Sequence, residues 1–236
     1  MLKFYYNAAP NPLKVGLFLE EAGLEYEPVP IDTKRGHQHE PGYLAINPNA
    51  KVPAIDDDGV IVFDSNAILL YLAEMTGRFL PDDTQAARGQ MLSYLMFIAS
   101  GVGPYSGQSV HFHHFAPGDH PYARKRYAYE ARRHWRVIDD RLSAGRYMMG
   151  DEYTILDMSV WGWAGRIDFM FGKDDEMAEF PNIARLKAEI DERPAARRAV
   201  ALKDQYAFKV EMDEAAIRNL YPQIFAPDLA RISHQR

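Results

Sequence analysis

Cysteine is absent from this chain of 236 residues. Its absence excludes disulfide bonds, thiolate metal sites and any mechanism that relies on a protein sulfur nucleophile, including CxxC dithiol chemistry. Any thiol chemistry of the protein must therefore use a thiol that a ligand brings. Long apolar runs are also missing, since no stretch approaches the roughly twenty residues that a bilayer-spanning helix needs. Because Met1 leads directly into a strand pattern and not into a signal peptide, we expect a cytoplasmic protein.

An excess of positive charge is also missing. The chain has 27 lysines and arginines against 33 aspartates and glutamates, a net charge of −6. This balance argues against nucleic acid and anionic membranes as partners. Residues 1–80 hold only six of the basic residues and eleven of the acidic ones, so an anionic ligand there needs local donors. The candidate donors are Lys14, Lys34, Arg35, Lys51 and Arg126.

A hydrophobic content of 47% is ample for a buried core in one large or two small domains. The polar, proline-containing stretch after Leu80 marks the boundary between a mixed segment and a helical one. We predict a first domain over 1–80, a linker over 81–87, a helical domain over 88–205 and a C-terminal extension over 206–236. For the extension, the sequence leaves two possibilities open, an extra helix packed over a domain or partial disorder.

The first eighty residues alternate between strand and helix patterns, giving the order βαβ, then a hairpin, then a helix. Helix stops and turn residues, such as Gly23 and the Asp-Gly turn that ends at Gly59, separate the elements. The predicted elements are Leu2–Tyr6, Pro12–Ala22, Tyr26–Ile31, Val52–Ile55, Val60–Phe63 and Asn66–Met75. This order predicts a mixed α/β domain.

The remainder of the chain shows helical spacing almost throughout. The predicted helices are Ala86–Ala99, Tyr122–Leu142, Ile155–Phe171, Ile183–Glu192 and Ala195–Lys203. Thr154 and Asp157 have the spacing of a capping box at the start of the third of these helices. We therefore assign both residues a structural role.

Two short motifs indicate a binding site for an extended peptide that carries a carboxylate. A strand ending in X-Pro, as at Val52-Pro53, offers one free backbone N–H and C=O pair. Ser65, at the start of the helix that follows Asp64, offers its hydroxyl and amide groups to an anion. Together they predict a peptide-like ligand held against the first domain.

Several segments carry a resemblance to a known family. "NPNAKVPAI" and "DSNAILLYLAE" resemble the thioredoxin-like domain of cytosolic glutathione transferases. "GQSVHFHHFAPGDHPYARKRYAYE" and "YTILDMSVWGW" resemble the bacterial Nu class of that family. The match covers about residues 1–205, and the combined order of the motifs is specific. It implies a thioredoxin-like α/β domain followed by an all-helical domain, a twofold homodimer, and glutathione as co-substrate with no metal.

The resemblance also implies a catalytic residue and a backbone clamp. It identifies Asn11 as the residue that contacts the glutathione sulfur. Asn11-Pro12 also reads as a helix cap, and the positive end of that helix would favour a thiolate. The Val52-Pro53 peptide bond is implied to be cis, presenting the Val52 backbone to the cysteinyl unit.

The remaining glutathione contacts are implied in the same way. Asp64 would bind the ammonium of the γ-glutamyl unit and Ser65 its carboxylate. Gln38 and Lys51 would lie near the glycyl end, and Arg126 would reach glutathione from the partner subunit. Solvated loop or helix side chains are the competing interpretation for the last three.

One position departs from the family pattern, because Ala9 replaces a threonine whose hydroxyl contacts the sulfur. Tyr5 or Tyr6 would be the replacement donor, although packing within the strand is the alternative for each. Tyr6 is also assigned, with Tyr105, Gln108 and His111, to the pocket for the second substrate. The histidines from His111 to His114 lack an acidic ligand at suitable spacing, so no metal site is predicted.

The predicted function is glutathione-dependent disulfide reduction or glutathione transfer, by a glutathione thiolate that Asn11 and a helix N-terminus stabilise. The second partner would be a small electrophile or a disulfide. Two alternatives stay open. One is a non-catalytic glutathione-binding or regulatory protein, and the other is a glutathione-dependent β-etherase or dehalogenase.

Overall fold

The N-terminal part of the chain forms a four-stranded mixed sheet in the order β2-β1-β3-β4. The computed structural model describes residues 1–172 and 176–225. β1 and β2 are parallel, whereas β1 with β3 and β3 with β4 are antiparallel. This arrangement confirms the predicted βαβ unit followed by a hairpin. The strands are β1 (Leu2–Tyr6), β2 (Tyr26–Pro30), β3 (Ala54–Asp57) and β4 (Val60–Phe63).

Helices are the main secondary structure of the remaining described chain. Three belong to the N-terminal part: α1 (Pro10–Ala22), α2 (Pro41–Leu44) and α3 (Ser65–Thr76). The others are α4 (Gln85–Phe97), α5 (Gly103–His114), α6 (Pro121–Ser143), α7 (Ile155–Ala164), α8 (Ile167–Phe171), α9 (Pro181–Asp191), α10 (Pro194–Ala201) and α11 (Glu214–Leu220). In the described ranges, no helix combines the length and apolar character needed to cross a bilayer.

Helix α1 connects the two halves of the protein. It packs against α3 on the N-terminal side and against α7 and α10 on the helical side. Val15, Leu17, Phe18 and Leu19 are fully buried, so α1 has apolar neighbours on nearly all sides. Burying side chains of this size stabilises the fold by about 1.5–3 kcal/mol each. The start of α1 is thereby held rigidly between the two domains.

Most predicted elements differ from the structure by one or two residues at a boundary; β3, for example, covers Ala54–Asp57 where Val52–Ile55 was predicted. α1 begins at Pro10, two residues before the predicted Pro12, because proline is well suited to the first helical position. The predicted helix Ile155–Phe171 is divided into α7 and α8 at Gly165. Helix α5 was missed because Gly103-Pro104 suggests a break, whereas a π-helical turn over Ile98–Val102 leads from α4 into α5.

The capping box at the start of α7 is confirmed. The Thr154 hydroxyl accepts from Leu156 N at 3.3 Å, and Thr154 N donates to Asp157 Oδ2 at 2.8 Å. Asp157 Oδ1 also accepts from Met148 N at 2.8 Å, which ties the preceding loop to the helix. Since Asp157 is fully buried, these bonds satisfy amides that water cannot reach.

The described part of the C-terminal extension, 206–225, packs across both halves. Phe208 lies edge-on against Tyr6, and Lys209 N donates to Asp32 Oδ2 at 2.8 Å. Helix α11 follows, and Tyr221 packs 4.8 Å from the ring of His111 in α5. The sequence left open an extra packed helix or partial disorder for the extension. Over 206–225 the structure shows the packed helix. Residues 226–236 lie outside the described range.

Candidate active site

The predicted site residues meet at one end of the sheet. β1 and β3 are antiparallel with Tyr5 opposite Ala54, so the end of β1 that leads to α1 lies beside the start of β3. The Val52-Pro53 bond, which precedes β3, is cis, as the resemblance implied. Within the described chain, neither backbone group of Val52 makes a hydrogen bond. The free N–H and C=O that the sequence predicted are therefore available to a ligand.

Asn11 lies at the second position of α1, and the residue that caps the helix is Ala9. The prediction that Asn11 itself is the N-cap was therefore wrong. Two of the first three helical residues, Pro10 and Pro12, have no N–H, so the first turn offers only the backbone N–H of Asn11. The Ala9 N–H is already donated to Asn7 Oδ1 at 2.9 Å. At the positive end of α1, the free hydrogen-bond donors therefore all belong to Asn11.

Trp163 of α7 determines which way the Asn11 amide faces. The indole Nε1 donates to Asn11 Oδ1 at 2.9 Å. Because an indole N–H can only donate, the carboxamide oxygen must face Trp163, and the Nδ2 group is left as a donor. In the described structure Nδ2 has no acceptor. This contact suits Asn11 to donate to an anionic ligand atom such as a thiolate.

The start of α3 differs from its predicted form. Asp64, not Ser65, is the N-cap, and its Oδ1 accepts from Asn66 N at 2.9 Å and Ala67 N at 3.2 Å. The amides after Ser65, which we expected to bind a carboxylate, are therefore already satisfied. Ser65 keeps its own N–H and its hydroxyl, and the hydroxyl oxygen accepts from Lys14 Nζ at 3.4 Å.

Gln38 is not a solvated loop residue. It is 3% exposed, and its Nε2 donates to the backbone oxygen of Asn219 in α11 at 3.0 Å. Its Oε1 is buried without a donor among the described residues. The C-terminal extension therefore covers this side chain, and the motif resemblance ended before the extension and gave no sign of the contact.

Lys51 and Arg126 are both on the surface. Lys51 is exposed, and its backbone oxygen accepts from Tyr43 Oη at 2.6 Å. Arg126 is half-exposed on α6 and forms an ion pair with Glu130 at 2.8 Å. The structure contains one protomer, so the predicted contact of Arg126 across a dimer stays a prediction.

A cavity of about 480 Å³ adjoins the start of α1. Ala8, Ala9 and Pro10 form one side of it, and Trp163 contributes to its wall. The extension closes it with apolar side chains, namely Phe208, Met212, Leu220 and Tyr221. It is therefore an apolar chamber beside Asn11, built partly by the extension.

The four residues predicted for the second-substrate pocket do not line this cavity. From α5 the cavity is lined by Gly107 and Val110, so the assignment of Tyr105, Gln108 and His111 to a second-substrate pocket stays a prediction. Tyr105 packs against His134 of α6, and Gln108 is exposed. His111 is half-buried against Tyr221 of the cavity wall.

Neither tyrosine of β1 replaces the hydroxyl that Ala9 lacks. Tyr6 is buried and donates to the backbone oxygen of Leu202 at 3.0 Å, and burial raises its pKa. Tyr5 is on the other face of the sheet against Tyr43, and its pKa is raised by burial and by Asp56 and Glu27. Both tyrosines therefore pack within the sheet, as the alternative interpretation proposed.

Positive charge borders the cavity. Lys34, Arg166 and Lys209 line it, against one acidic residue, Asp32. Arg166 forms no ion pair or side-chain hydrogen bond within the described ranges. No cluster of three metal-ligating side chains occurs among the described residues. The chamber suits an anionic ligand with apolar parts.

Two parts of this site could not be anticipated from motifs. The indole of Trp163 is 152 residues from Asn11 in the sequence, and only the packing of α7 on α1 brings them together. The cavity wall over 206–225 lies outside the matched segments. The sequence did single out Lys14 as a local cation, but not its position behind Ser65.

Comparison with known proteins identifies the family. Residues 2–74 match the model of the glutathione S-transferase N-terminal domain, and residues 121–186 match that of its C-terminal domain. The disulfide-bond oxidoreductase YfcG of Escherichia coli is 38% identical over 207 residues, covering 85% of this chain and 94% of that protein.

Solved structures agree with the sequence match. A glutathione transferase from Burkholderia graminis, with two glutathione molecules bound per subunit, has a TM-score of 0.77 and 34% identity, covering 85% of this chain and 87% of that one. One from Pseudomonas putida, with one glutathione disulfide per subunit, has a TM-score of 0.78 and 34% identity, covering 84% and 90%. The chain described here belongs to the glutathione S-transferase family.

Proposed function

We propose that this protein is a glutathione-dependent disulfide reductase that lowers the pKa of the glutathione thiol at Asn11. The observation that carries the proposal is a pair of donors on Asn11, its backbone N–H and its Nδ2. Both lie at the positive end of α1 and have no acceptor among the described residues. Donors aimed at an anionic sulfur favour the thiolate over the thiol. Because the chain has no cysteine, the reacting sulfur comes from the ligand.

The proposed reaction has two displacement steps. The glutathione thiolate attacks one sulfur of a disulfide RSSR, forming a mixed disulfide GSSR and releasing RS⁻. A second glutathione thiolate then attacks the glutathione sulfur of GSSR, giving GSSG and a second RS⁻. Water supplies protons to the released thiolates, and the two electrons come from two molecules of glutathione.

Glutathione is placed by three elements of the N-terminal half. In this proposal the free backbone groups of Val52 pair with the cysteinyl unit. Ser65 binds the γ-glutamyl carboxylate and Asp64 its ammonium, while Lys51 faces the glycyl end. Gln38, predicted for the same end, is covered by Asn219 of the extension and makes no ligand contact in this proposal. Arg126 of the partner protomer completes the site in a twofold homodimer. We place the reaction in the cytoplasm, where thiols stay reduced.

The cationic border of the cavity favours disulfide reduction by a second glutathione over conjugation to an uncharged electrophile. A cavity of about 480 Å³ is in the usual range for small-molecule sites and lies beside Ala9 and Pro10. Its cationic border includes Arg166, which has no ion-pair partner among the described residues, and suits the carboxylates of a second glutathione unit. In support, the similar structures hold two glutathione molecules or one glutathione disulfide per subunit.

Two other functions fit the same geometry less well. A non-catalytic glutathione-binding protein would need the fold and the clamp at Val52, but not the oriented donors of Asn11. A β-etherase or dehalogenase would use the same thiolate on a different substrate in the cavity.

One assay series tests the proposal. Purified protein is supplied with glutathione and either hydroxyethyl disulfide or 1-chloro-2,4-dinitrobenzene, and calorimetry measures glutathione binding separately. We expect binding, clear turnover of the disulfide and weak conjugation. Binding without turnover of either substrate would favour the non-catalytic function, and absence of binding would refute both.

Trp163→Phe tests whether the indole orients Asn11. Loss of the donor removes one hydrogen bond of about 1 kcal/mol, so we expect kcat/KM for the disulfide to fall about fivefold to tenfold. The pKa of the bound thiol, followed by its pH-rate profile, should rise at the same time.

Trp161→Phe is the matched control for this change. It removes an equivalent indole donor from the same helix, whose partner is Asp191 Oδ1 at 2.8 Å. This variant should keep both kcat/KM and the thiol pKa. Equal losses in the two variants would show that Trp163 acts only through the stability of α7.

Tyr221→Ala tests the contribution of the C-terminal extension to the cavity. The side chain packs on His111 and Phe115 and lines the chamber, so its loss opens one wall. We expect the KM for hydroxyethyl disulfide to rise roughly threefold to tenfold through lost apolar contact, with glutathione affinity retained. Tyr122→Ala, at a tyrosine of α6 that is 80% exposed, should change neither value.

A further inference from the structure

Lys14 is a buried lysine in the centre of the protein. It is 1% exposed, although lysine is almost never fully buried without a charged partner. Its stem crosses Gly162 of α7, where an added Cβ would lie 2.5 Å from Lys14 Cγ and 2.7 Å from the Pro10 oxygen. Glycine at position 162 therefore allows α7 to approach both the Lys14 stem and the Pro10 backbone oxygen.

The ammonium group of Lys14 has a single neutral partner. Its Nζ donates to Ser65 Oγ at 3.4 Å, and it forms no ion pair in the described structure. The nearby charged group that acts on it is Asp64, the N-cap residue of α3, but that carboxylate already accepts from the amides of Asn66 and Ala67. A buried cation in this situation is costly unless an anion compensates it.

The same contact sets the direction of the Ser65 hydroxyl. An ammonium can only donate, so Ser65 Oγ must accept from it, and the hydroxyl proton is left to donate elsewhere. We infer that Lys14 is the positioning residue of an α-carboxylate subsite at Ser65, where it orients the hydroxyl and supplies the compensating charge. This inference rests on the proposed glutathione site and names how that site recognises the γ-glutamyl carboxylate.

The inference predicts uptake of a proton on binding. Burial lowers the pKa of Lys14 to about 8, with Asp64 partly opposing the shift, so the free protein loses this charge above pH 8. From α7 the contacting residue is Gly162, which carries no charge. A carboxylate placed at Ser65 favours the charged form and raises the pKa. Binding above pH 8 should therefore protonate Lys14, whereas binding at pH 7 should do so far less.

The experiment uses two ligands without a free thiol, so that thiol ionisation does not contribute protons. One is S-methylglutathione, and the other is its analogue with 4-aminobutanoyl in place of the γ-glutamyl unit, which lacks only the α-carboxylate. Calorimetry in buffers of different ionisation enthalpy, at pH 7 and 8.5, measures affinity and proton uptake. The variants are Lys14→Met and, as control, Lys203→Met at an exposed lysine of the helical half.

The unsubstituted protein should prefer S-methylglutathione and take up a proton only at pH 8.5. Lys14→Met should reduce that preference about tenfold or more and abolish the uptake, while binding the analogue as before. Lys203→Met should behave like the unsubstituted protein.

Several outcomes separate this inference from the proposed function. If Lys14→Met keeps the full preference, or if the unsubstituted protein takes up no proton at pH 8.5, the inference is overturned while the glutathione site stands. If neither ligand binds the unsubstituted protein, the proposed function itself fails. Should Lys14→Met not fold, proton uptake by the unsubstituted protein and its loss in Ser65→Ala decide the question.

Discussion

Asn11→Ala should lower kcat/KM for hydroxyethyl disulfide about 10- to 100-fold. The substitution removes the Nδ2 donor of Asn11. This donor faces away from Trp163 because the indole holds the Oδ1 atom of the same amide. The helix dipole and the backbone N–H of residue 11 remain, so part of the thiolate stabilisation should survive. Steady-state rates at saturating and limiting glutathione separate the effect on kcat from that on binding.

The loss should arise in the chemical step and not in glutathione affinity, which depends on Val52 and Ser65. Asn49→Ala is the matched control, because Asn49 is an exposed loop residue whose side chain makes no hydrogen bond in the described structure. If Asn11→Ala were as active as Asn49→Ala, Asn11 would have no role in thiol activation.

Asp157→Ala should destabilise the fold by about 3–5 kcal/mol. The change leaves the buried amides of Met148 and Thr154 without an acceptor, and each such group costs about 1–3 kcal/mol. It also removes half of the capping box that starts α7, the helix that carries Trp163 and Gly162. Urea unfolding followed by tryptophan fluorescence measures the free energy directly.

Asp140→Ala provides the comparison for this change. Asp140 lies on the exposed face of α6, and its side chain forms no hydrogen bond or ion pair in the described ranges. We expect this variant to change the unfolding free energy by less than about 0.5 kcal/mol. Similar midpoints and slopes for the two variants would show that the capping box contributes little to the stability of the domain.

The N-terminal half could be predicted in detail because its signals are local. Strand alternation gave Leu2–Tyr6 and Val60–Phe63 with the observed boundaries. Glycine and proline positions located the turns between the elements. The start of α1 was misplaced because two prolines, Pro10 and Pro12, each suit the first helical position, and only the backbone determines which is used.

The helical half was harder to predict because the breaks between its helices do not follow from local sequence signals. Gly103-Pro104 suggests a break in sequence, but a π-helical turn carries the chain into α5. Because α5 was not predicted as a helix, its sequence gave no face to compare with the cavity, and a shift of one residue rotates a helix by about 100°. Gly107 and Val110 line the cavity from α5, one residue before Gln108 and His111 respectively.

Polar contacts between distant segments were the least predictable part of the site. Two side chains assigned to ligand binding, Asn11 and Ser65, are oriented by the donors Trp163 and Lys14. Neither donor has a motif of its own that marks this role. In each case a group that can only donate contacts the oxygen of the ligand-facing side chain, so that side chain must donate on its other side. Such contacts arise from packing between distant segments and not from sequence spacing.

The central claim is that Asn11 and the start of α1 ionise the thiol of bound glutathione. Its most direct test is the ultraviolet absorbance of the thiolate in the complex, titrated against pH and compared with free glutathione and with the Asn11→Ala complex. We predict that the bound thiol titrates roughly one to three pH units below the ordinary thiol value of about 8.5, and that Asn11→Ala reverses most of this shift. A bound thiol that titrates as it does in free solution would contradict the account.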